Sequence, residues 1–297
     1  MSRKRILIID NPTSGRRSAT VLGQVVEELV GLGVRVDIRV TEGPGHATEL
    51  AAAVPQDSQD CIVAAGGDGT VNEVINGLAR LSEALPLGII PLGTANVLAH
   101  ELALPKMPAT IAKVLFEGPL RTLYPGIIES EGQPPRLFAQ MAGVGIDARI
   151  VAGVNGRLKR LFGKGAYGIE AARQWLKGDL PVYQIDIDGS PYQAASMIIA
   201  NGKLYGGRFL VAPDADISTP GFQVLLLPGG RVDMLTNTAA LVSNRLSRSG
   251  GVRLLEGRKI TISGPAGEPI QADGDLLGQL PLRIEASTQP LMVIAAN

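Results

Sequence analysis

The sequence predicts an α/β domain followed by a mainly antiparallel β region, and three observations carry that reading. The first third alternates strand-length apolar runs with one-sided helical stretches. The rest breaks into short runs of period two between turn residues. The 297 residues are about twice the length of one ordinary domain. Hydrophobic residues make up 45% and charged residues 19%, which fills real cores and excludes disorder as a description of the whole.

Residues 6–9 form a continuous apolar run that ends in the polar turn Asp10, Asn11, Pro12, Thr13, Ser14, Gly15, as a buried strand does. Val21, Leu22, Val25, Val26, Leu29 and Val30 then recur at helical spacing until Gly31 and Gly33. Val34, Val36, Ile38 and Val40 alternate with Arg35, Asp37 and Arg39, the pattern of a half-exposed strand, and a short helix is expected over residues 46–53. Residues 61–65 give another buried strand, followed by a glycine turn and a helix carrying Val71, Val74, Ile75 and Leu78. Residues 87–90 repeat the unit, with a turn at 93–96 and a helix through Leu102. This rhythm builds a parallel sheet with right-handed crossovers.

After Arg121 the pattern changes. Short strands are expected at 138–146, 184–188, 192–200, 222–227, 259–263, 269–272 and 280–285, with Asp188-Gly189 as a hairpin turn between the second and third. A helical stretch over 151–177 interrupts them, and no solenoid-type repeat is present.

Charge and cysteine content narrow the function. Lys plus Arg and Asp plus Glu both number 28, so no global positive field exists to hold nucleic acid. Cys61 is the single cysteine, which excludes a disulfide framework or thiolate zinc site and suits a reducing compartment. No apolar run reaches the roughly 18 residues of a spanning helix, and the opening MSRKRILIID lacks a signal-peptide core, so a cytoplasmic protein is expected.

The 37 glycines cluster at the ends of apolar runs, where backbone must approach something closely. Gly66, Gly67, Asp68, Gly69 and Thr70 lie between a buried strand and a helix. Amides there can close round phosphate oxygens beside a helix N-terminus, with Asp68 holding magnesium or ordered water. A plain glycine-rich turn is the alternative. Two further strand ends carry suitable groups. One has Asn11 to Gly15 followed by the cations Arg16 and Arg17, and the other has Gly93, Thr94, Ala95 and Asn96. Together they outline a nucleotide cleft beyond the carboxyl ends of parallel strands. The chain has no G-x-x-x-x-G-K-[ST] loop, and Asn72 at the sixth place breaks a G-x-G-x-x-G fingerprint.

The strings NPTSG at 11–15, GGDGTVNEV at 66–74 and PLGTANVLAHEL at 91–102 resemble, in order and spacing, the catalytic domain of diacylglycerol kinases and the related bacterial lipid kinases and sphingosine kinases. NAD kinases and phosphofructokinases share the GGDG core without the VNEV continuation. The likeness extends through the later APDAD and QADGD segments. It implies a nucleotide-binding α/β domain over 1–120, rejoined by residues 284–297, and a lipid-acceptor β-sandwich over 121–283. It also implies ATP contacts at Asn11, Gly15, Thr41, Gly66, Gly67, Asp68, Gly69, Thr70, Val71, Asn72, Glu73, Gly93, Thr94 and Asn96.

The resemblance further implies a catalytic acid in a D-G-E motif, which here is Asp273, Gly274, Asp275. Aspartate in place of glutamate shortens the reach by one methylene and leaves open which carboxylate is the base. Two acids two residues apart on an extended segment share a face, yet Asp-Gly is also a hairpin-turn signal. The family's metal-binding loop matches residues 213–221, where S-T-P-G replaces D-D-G. Asp214 and Asp216 remain as candidate ligands, and the metal site is unknown. His46 and His100 form no constellation with the lone cysteine.

Residues 151–180 hold six Lys or Arg and two acids, interleaved with Leu158, Leu161, Phe162, Tyr167 and Trp175. That composition suits transient contact with a membrane surface, with a solvated helix as the alternative. The expectation is an ATP- and Mg²⁺-dependent lipid kinase acting on a lipid at the membrane surface, with diacylglycerol to phosphatidic acid the leading reaction. A homo-oligomer is left open and no nucleic-acid partner is expected. An NAD kinase-like soluble nucleotide kinase and a non-catalytic nucleotide- or lipid-binding regulator are the alternatives.

Overall fold

A computed structural model describes residues 2–15, 18–154, 165–178 and 180–296, and the chain divides into two compact units. The first comprises residues 1–124 and 289–297, the second residues 125–288.

The first unit runs β1 (Arg5–Asp10), α1 (Ser18–Gly31), β2 (Arg35–Val40), α2 (His46–Ala52), β3 (Cys61–Gly66), α3 (Asp68–Leu78), β4 (Leu87–Pro91), α4 (Val97–Glu101), α5 (Pro108–Glu117) and β5 (Leu120–Leu123). The second adds β6 (Gly126–Ser130), β7 (Arg136–Phe138), β8 (Met141–Val144), α6 (Ile146–Gly153), α7 (Gly165–Lys177), β9 (Tyr183–Ile187), β10 (Ser190–Ala194), β11 (Ser196–Ala200), β12 (Leu204–Tyr205), β13 (Phe209–Leu210), β14 (Phe222–Leu227), α8 (Arg231–Val242), β15 (Arg253–Gly257), β16 (Lys259–Ser263), β17 (Pro269–Ala272), β18 (Asp275–Gln279) and β19 (Leu282–Ala286). The chain then returns to the first unit as β20 (Leu291–Ile294).

In the first unit the strand order is β2-β1-β3-β4-β20-β5. β2, β1, β3, β4 and β20 are parallel and β5 is antiparallel. β1 and β3 are continuous apolar runs because helices cover both faces. Ile6, Ile8, Cys61, Val63 and Ala65 face α1 and α5 through Leu22, Val25, Leu29, Ile111 and Leu115. Leu7 and Ile9 are equally buried on the opposite face, since successive strand side chains alternate. α2 and α3 pack closely because Gly77 has no side chain. A Cβ there would lie 2.5 Å from the Thr48 carbonyl oxygen.

The second unit is a β-sandwich. Its sheets run β10-β9-β16-β19-β6-β7 and β15-β14-β11-β8-β17-β18. Their inner faces share one core, with Phe138, Tyr183, Ile185, Ile260, Ile262 and Ile284 from one sheet meeting Val144, Met197, Ile199, Val224 and Ile270 from the other. The alternate residues of the second sheet, including Met141, Ile198, Leu225 and Leu227, pack outward against Ala240 and Leu241 of α8.

Two expected strands divide. The run 192–200 is not one partner strand: β10 pairs with β9 in the first sheet, and β11 pairs with β8 and β14 in the second. The chain crosses between sheets at Ala195, a small buried residue that lies against Gly229. The run 138–146 divides into the end of β7, β8 and the start of α6. Gly145 turns the chain there with φ 91, and a Cβ at that position would meet the Ala195 carbonyl oxygen at 2.7 Å. The helical stretch 151–177 is found as the end of α6 and as α7. Its basic middle, with Arg157, Lys159, Arg160 and Lys164, lies outside the described residues. Among the described residues no helix is long and apolar enough to cross a membrane.

Candidate active site

The order β2-β1-β3 places a topological switch point between β1 and β3, because the chain leaves β1 towards one side and resumes on the other. Crevices at such points, beyond the carboxyl ends of the strands, are where open α/β sheets take ligands. Asn11 follows β1 and Gly67 follows β3 at this point. The Asn11 amide donates to the Ala65 carbonyl at 3.0 Å, and its Nδ2 donates to Thr70 Oγ1 at 3.0 Å. Its Oδ1 accepts from the Thr13 amide and hydroxyl, which shapes the first loop.

The third loop joins the second through backbone. Leu92 and Gly93 amides both donate to the Gly66 carbonyl, at 2.9 and 3.2 Å. A Cβ on Gly93 would sit 2.4 Å from Gly67 Cα, so only glycine permits this approach. A Cβ on Gly15 would lie 3.0 Å from the Leu92 carbonyl oxygen, bringing the end of the first loop to the same place. Asp68 Oδ1 accepts from the Val97 amide at 2.6 Å, so the carboxylate of the second loop closes the N-terminus of α4. Asn11, Asp68 and the 93–96 turn are therefore one assembly. Arg16 and Arg17 lie outside the described residues.

Individual residues divide by role. Gly66 makes room for the buried Thr70, whose Oγ1 would lie 2.4 Å from a Cβ there. Gly69 sits in the first turn of α3, where amides have no intrahelical acceptor. Val71 and Asn72 are buried, and Asn76 Nδ2 donates to Asn72 Oδ1 at 3.1 Å. The Glu73 carboxylate accepts from the Gly45 and Ala47 amides, at 2.9 and 3.1 Å, so it anchors the start of α2. Thr41 follows β2 and its amide donates to the Asp10 carbonyl at 2.8 Å. Burial raises the Asp10 carboxyl above its ordinary value. Thr94 is exposed at the loop tip. His46 Nδ1 accepts from the Glu42 amide at 3.0 Å.

The cradle suits a nucleotide with its cation. Asn96 holds φ 50 and donates Nδ2 to the Gly93 carbonyl at 2.8 Å, while its Oδ1 is buried without a partner. An orphan carbonyl oxygen beside a carboxylate fits a hard cation or a sugar hydroxyl.

In the second unit, Asp273-Gly274 joins β17 to β18 as a two-residue hairpin with φ 48 and 88, the type I′ geometry that favours Asp-Gly. The Asp273 carboxylate accepts from the amides of Ala139, Gln140 and Met141 at 2.7, 2.9 and 3.0 Å. Asp275 starts β18 and is exposed. The turn rests on Gln271, the first residue of the QADGD segment, and on Asp147 and Tyr205, which lie outside every quoted motif. The Gly274 amide donates to Gln271 Oε1 at 3.0 Å, Gln271 Nε2 donates to Asp147, and the Tyr205 hydroxyl donates to the same carboxylate. Burial pushes the Asp147 carboxyl above its ordinary value despite those two bonds. Arg149, on the same helix, makes a two-pronged pair with Glu268 just before β17, at 2.9 and 2.5 Å. Gly143 was the available signal: a Cβ there would sit 2.1 Å from Asp147 Oδ2, so the glycine exists to admit the carboxylate.

In the 213–221 loop, Asp216 Oδ1 accepts from the Ser218 amide and hydroxyl at 2.9 and 2.5 Å, shaping its own turn. Among the described residues, no group of three or more His, Cys, Asp or Glu side chains is placed to hold a metal ion.

Comparison with known proteins covers both units. The family described as Diacylglycerol kinase catalytic domain matches residues 5–126, and the YegS C-terminal NAD kinase beta sandwich-like domain matches residues 140–295. A diacylglycerol kinase of Staphylococcus saprophyticus is 30% identical over 302 residues, covering 99% of this chain and 96% of the relative. A diacylglycerol kinase of Bacillus subtilis is 32% identical over 228 residues, covering 75% of this chain and 74% of the relative. The crystal structure of a diacylglycerol kinase from Bacillus anthracis superposes with TM-score 0.72 at 21% identity, covering 99% and 98% of the two chains, which establishes likeness of fold.

Proposed function

Since this chain belongs to the diacylglycerol kinase family and is an ATP-using lipid kinase, we propose that its acceptor is the free hydroxyl of diacylglycerol and its product phosphatidic acid. One observation carries the nucleotide half of this reading: three strand-end loops interlock at the switch point through Asn11–Thr70, Asp68–Val97 and the Gly67–Gly93 approach.

The first-turn amides of α3 and the glycine backbone of the second loop receive the phosphates at the positive end of a helix. Asp68 and Asn96 Oδ1 are the groups that would hold Mg²⁺, which neutralises charge on the β- and γ-phosphates. Asp275 is the base. Asp273 already satisfies three backbone amides, whereas Asp275 is exposed at a hairpin whose geometry is fixed. The lipid hydroxyl oxygen bonds to the γ-phosphorus as its proton passes to Asp275, the bond from that phosphorus to the β-bridging oxygen breaks, and ADP leaves. Positioning and charge neutralisation supply most of the rate.

The test is incubation with γ-labelled ATP and a total lipid extract. Labelled phosphatidic acid is expected. Label in another lipid overturns the acceptor, and label confined to a soluble nucleotide overturns the lipid reading altogether.

A further inference from the structure

Helix α8 is apolar on two faces, and only one is used. Met234 and Asn237 are buried and Leu241 packs inward on the outer face of the second sheet. On the opposite side Val232 is 73% exposed, Leu235 54% and Val242 61%. At 100° per residue these three and the exposed Ala239 span an arc of about 80°, a continuous stripe roughly 15 Å long. The C-terminal end of α7 adjoins its start: Trp175 Nε1 donates to the Arg231 carbonyl at 3.1 Å, and the Arg231 guanidinium lies over Gly178. Leu176, beside that contact, is 69% exposed.

The charges around this stripe are positive in excess. Among the described residues of 165–178 and 231–250 there are five cations, Arg173, Lys177, Arg231, Arg245 and Arg248, against two acids. Both acids are committed. Glu170 is buried, bonds Gln174 and pairs with Arg173 at 3.6 Å, which leaves four cations, and Asp233 accepts from the Gly230 amide at the start of α8. In a chain whose formal charge is zero this is a local concentration of positive charge. Two other exposed apolar residues stand in different surroundings. Ile38 and Val40 on β2 alternate with Arg35, Asp37 and Arg39, a mixed-sign edge of the kind that resists docking.

We propose that the outward face of α8, with the adjoining end of α7, seats this protein on an anionic phospholipid bilayer. The inference rests on the lipid-kinase reading, because the acceptor of a lipid kinase lies in a bilayer. Exposed valine and leucine enter the acyl boundary, and arginine and lysine meet the headgroup phosphates. Neither helix alone is long enough or apolar enough to insert, so the contact is peripheral and reversible.

The experiment is vesicle flotation of the full chain with phosphatidylcholine vesicles and with vesicles rich in phosphatidylglycerol. Wild type should float with the anionic vesicles and lose that association as salt is raised. The double variant Val232→Glu, Leu235→Glu should bind at least about tenfold more weakly while melting at the wild-type temperature. Arg245→Glu with Arg248→Glu should weaken binding to anionic vesicles only. Ile38→Glu serves as a control that floats as wild type does. Equal flotation of wild type and the Val232, Leu235 variant overturns the proposal, as does equal binding of wild type to neutral and anionic vesicles. Transfer by wild type to detergent-dispersed diacylglycerol is read separately. If that fails while the flotation pattern holds, the acceptor assignment falls and the docking face stands.

Discussion

Asp273 and Asp275 stand two residues apart in a motif and have different surroundings. Asp275→Asn should lower kcat by about 10²–10⁴-fold with little change in KM for ATP, since a general base is lost and the nucleotide loops are untouched. Asp273→Asn turns one acceptor oxygen into a donor facing backbone amides, and should cost about 2 kcal/mol in urea unfolding. Unchanged stability with lost turnover in the Asp273 variant would exchange the two roles. Asp68→Asn keeps an acceptor for the Val97 amide and removes the charge, whereas Asp68→Ala removes both. The asparagine variant should keep its melting temperature and lose about a hundredfold in kcat, which separates cation holding from loop closure. Asp147 gives a pH signature. Its folded-state value is raised, so the native state holds the proton more firmly than the unfolded chain, and the contribution of this one group to stability is complete below about pH 4 and is lost as pH rises through the folded value. Asp147→Asn has no such loss, and its melting temperature relative to wild type should climb between pH 4 and 7. The loop residues were legible in the sequence because glycines mark close backbone approaches locally. Asp147 was not, because it meets Gln271 across 124 positions of chain and has no spacing signature of its own.

Elements were legible where a helix has one apolar stripe or a strand is an unbroken apolar run. α1 buries Leu22, Val25 and Leu29 on a single stripe, and β1 and β3 are unbroken apolar runs, so period sufficed. α8 was not seen, because Met234 and Leu241 point inward while Val232, Leu235 and Val242 point out, and no single stripe emerges. The 192–200 run misled for another reason: it stays largely apolar across a change of sheet, and only the pairing partners reveal the break at Ala195. The packing of α3 on α2 depends on one missing side chain. Gly77→Ala would place its methyl carbon 2.6 Å from Ala51 Cβ, and should cost about 1–3 kcal/mol in thermal unfolding. Gly93→Ala acts instead on the loops, where the methyl would meet Gly67, and should weaken ATP binding at least about tenfold by calorimetry with a smaller effect on melting.

At the scale of the molecule, the second unit is a continuous stretch of chain and the first is not. β20 lies between β4 and β5, and β5 has no other strand partner among the described residues. Nothing local in residues 291–294 announces this, since they are an apolar run like others; the family resemblance implied the return of residues 284–297, and the pairing gives its register. Residues 125–288 expressed alone should unfold cooperatively by circular dichroism, whereas residues 1–124 alone should lack a cooperative transition, because the edges of β4 and β5 are left open. The same pairing sets an order of events during translation. Residues 1–124 leave the ribosome first, yet the strand that flanks β4, from which the Gly93 loop springs, emerges after every residue of the sandwich. A polypeptide cut short by an early stop codon or by proteolysis before Leu291 thus carries an unfinished nucleotide sheet, and cannot spend ATP.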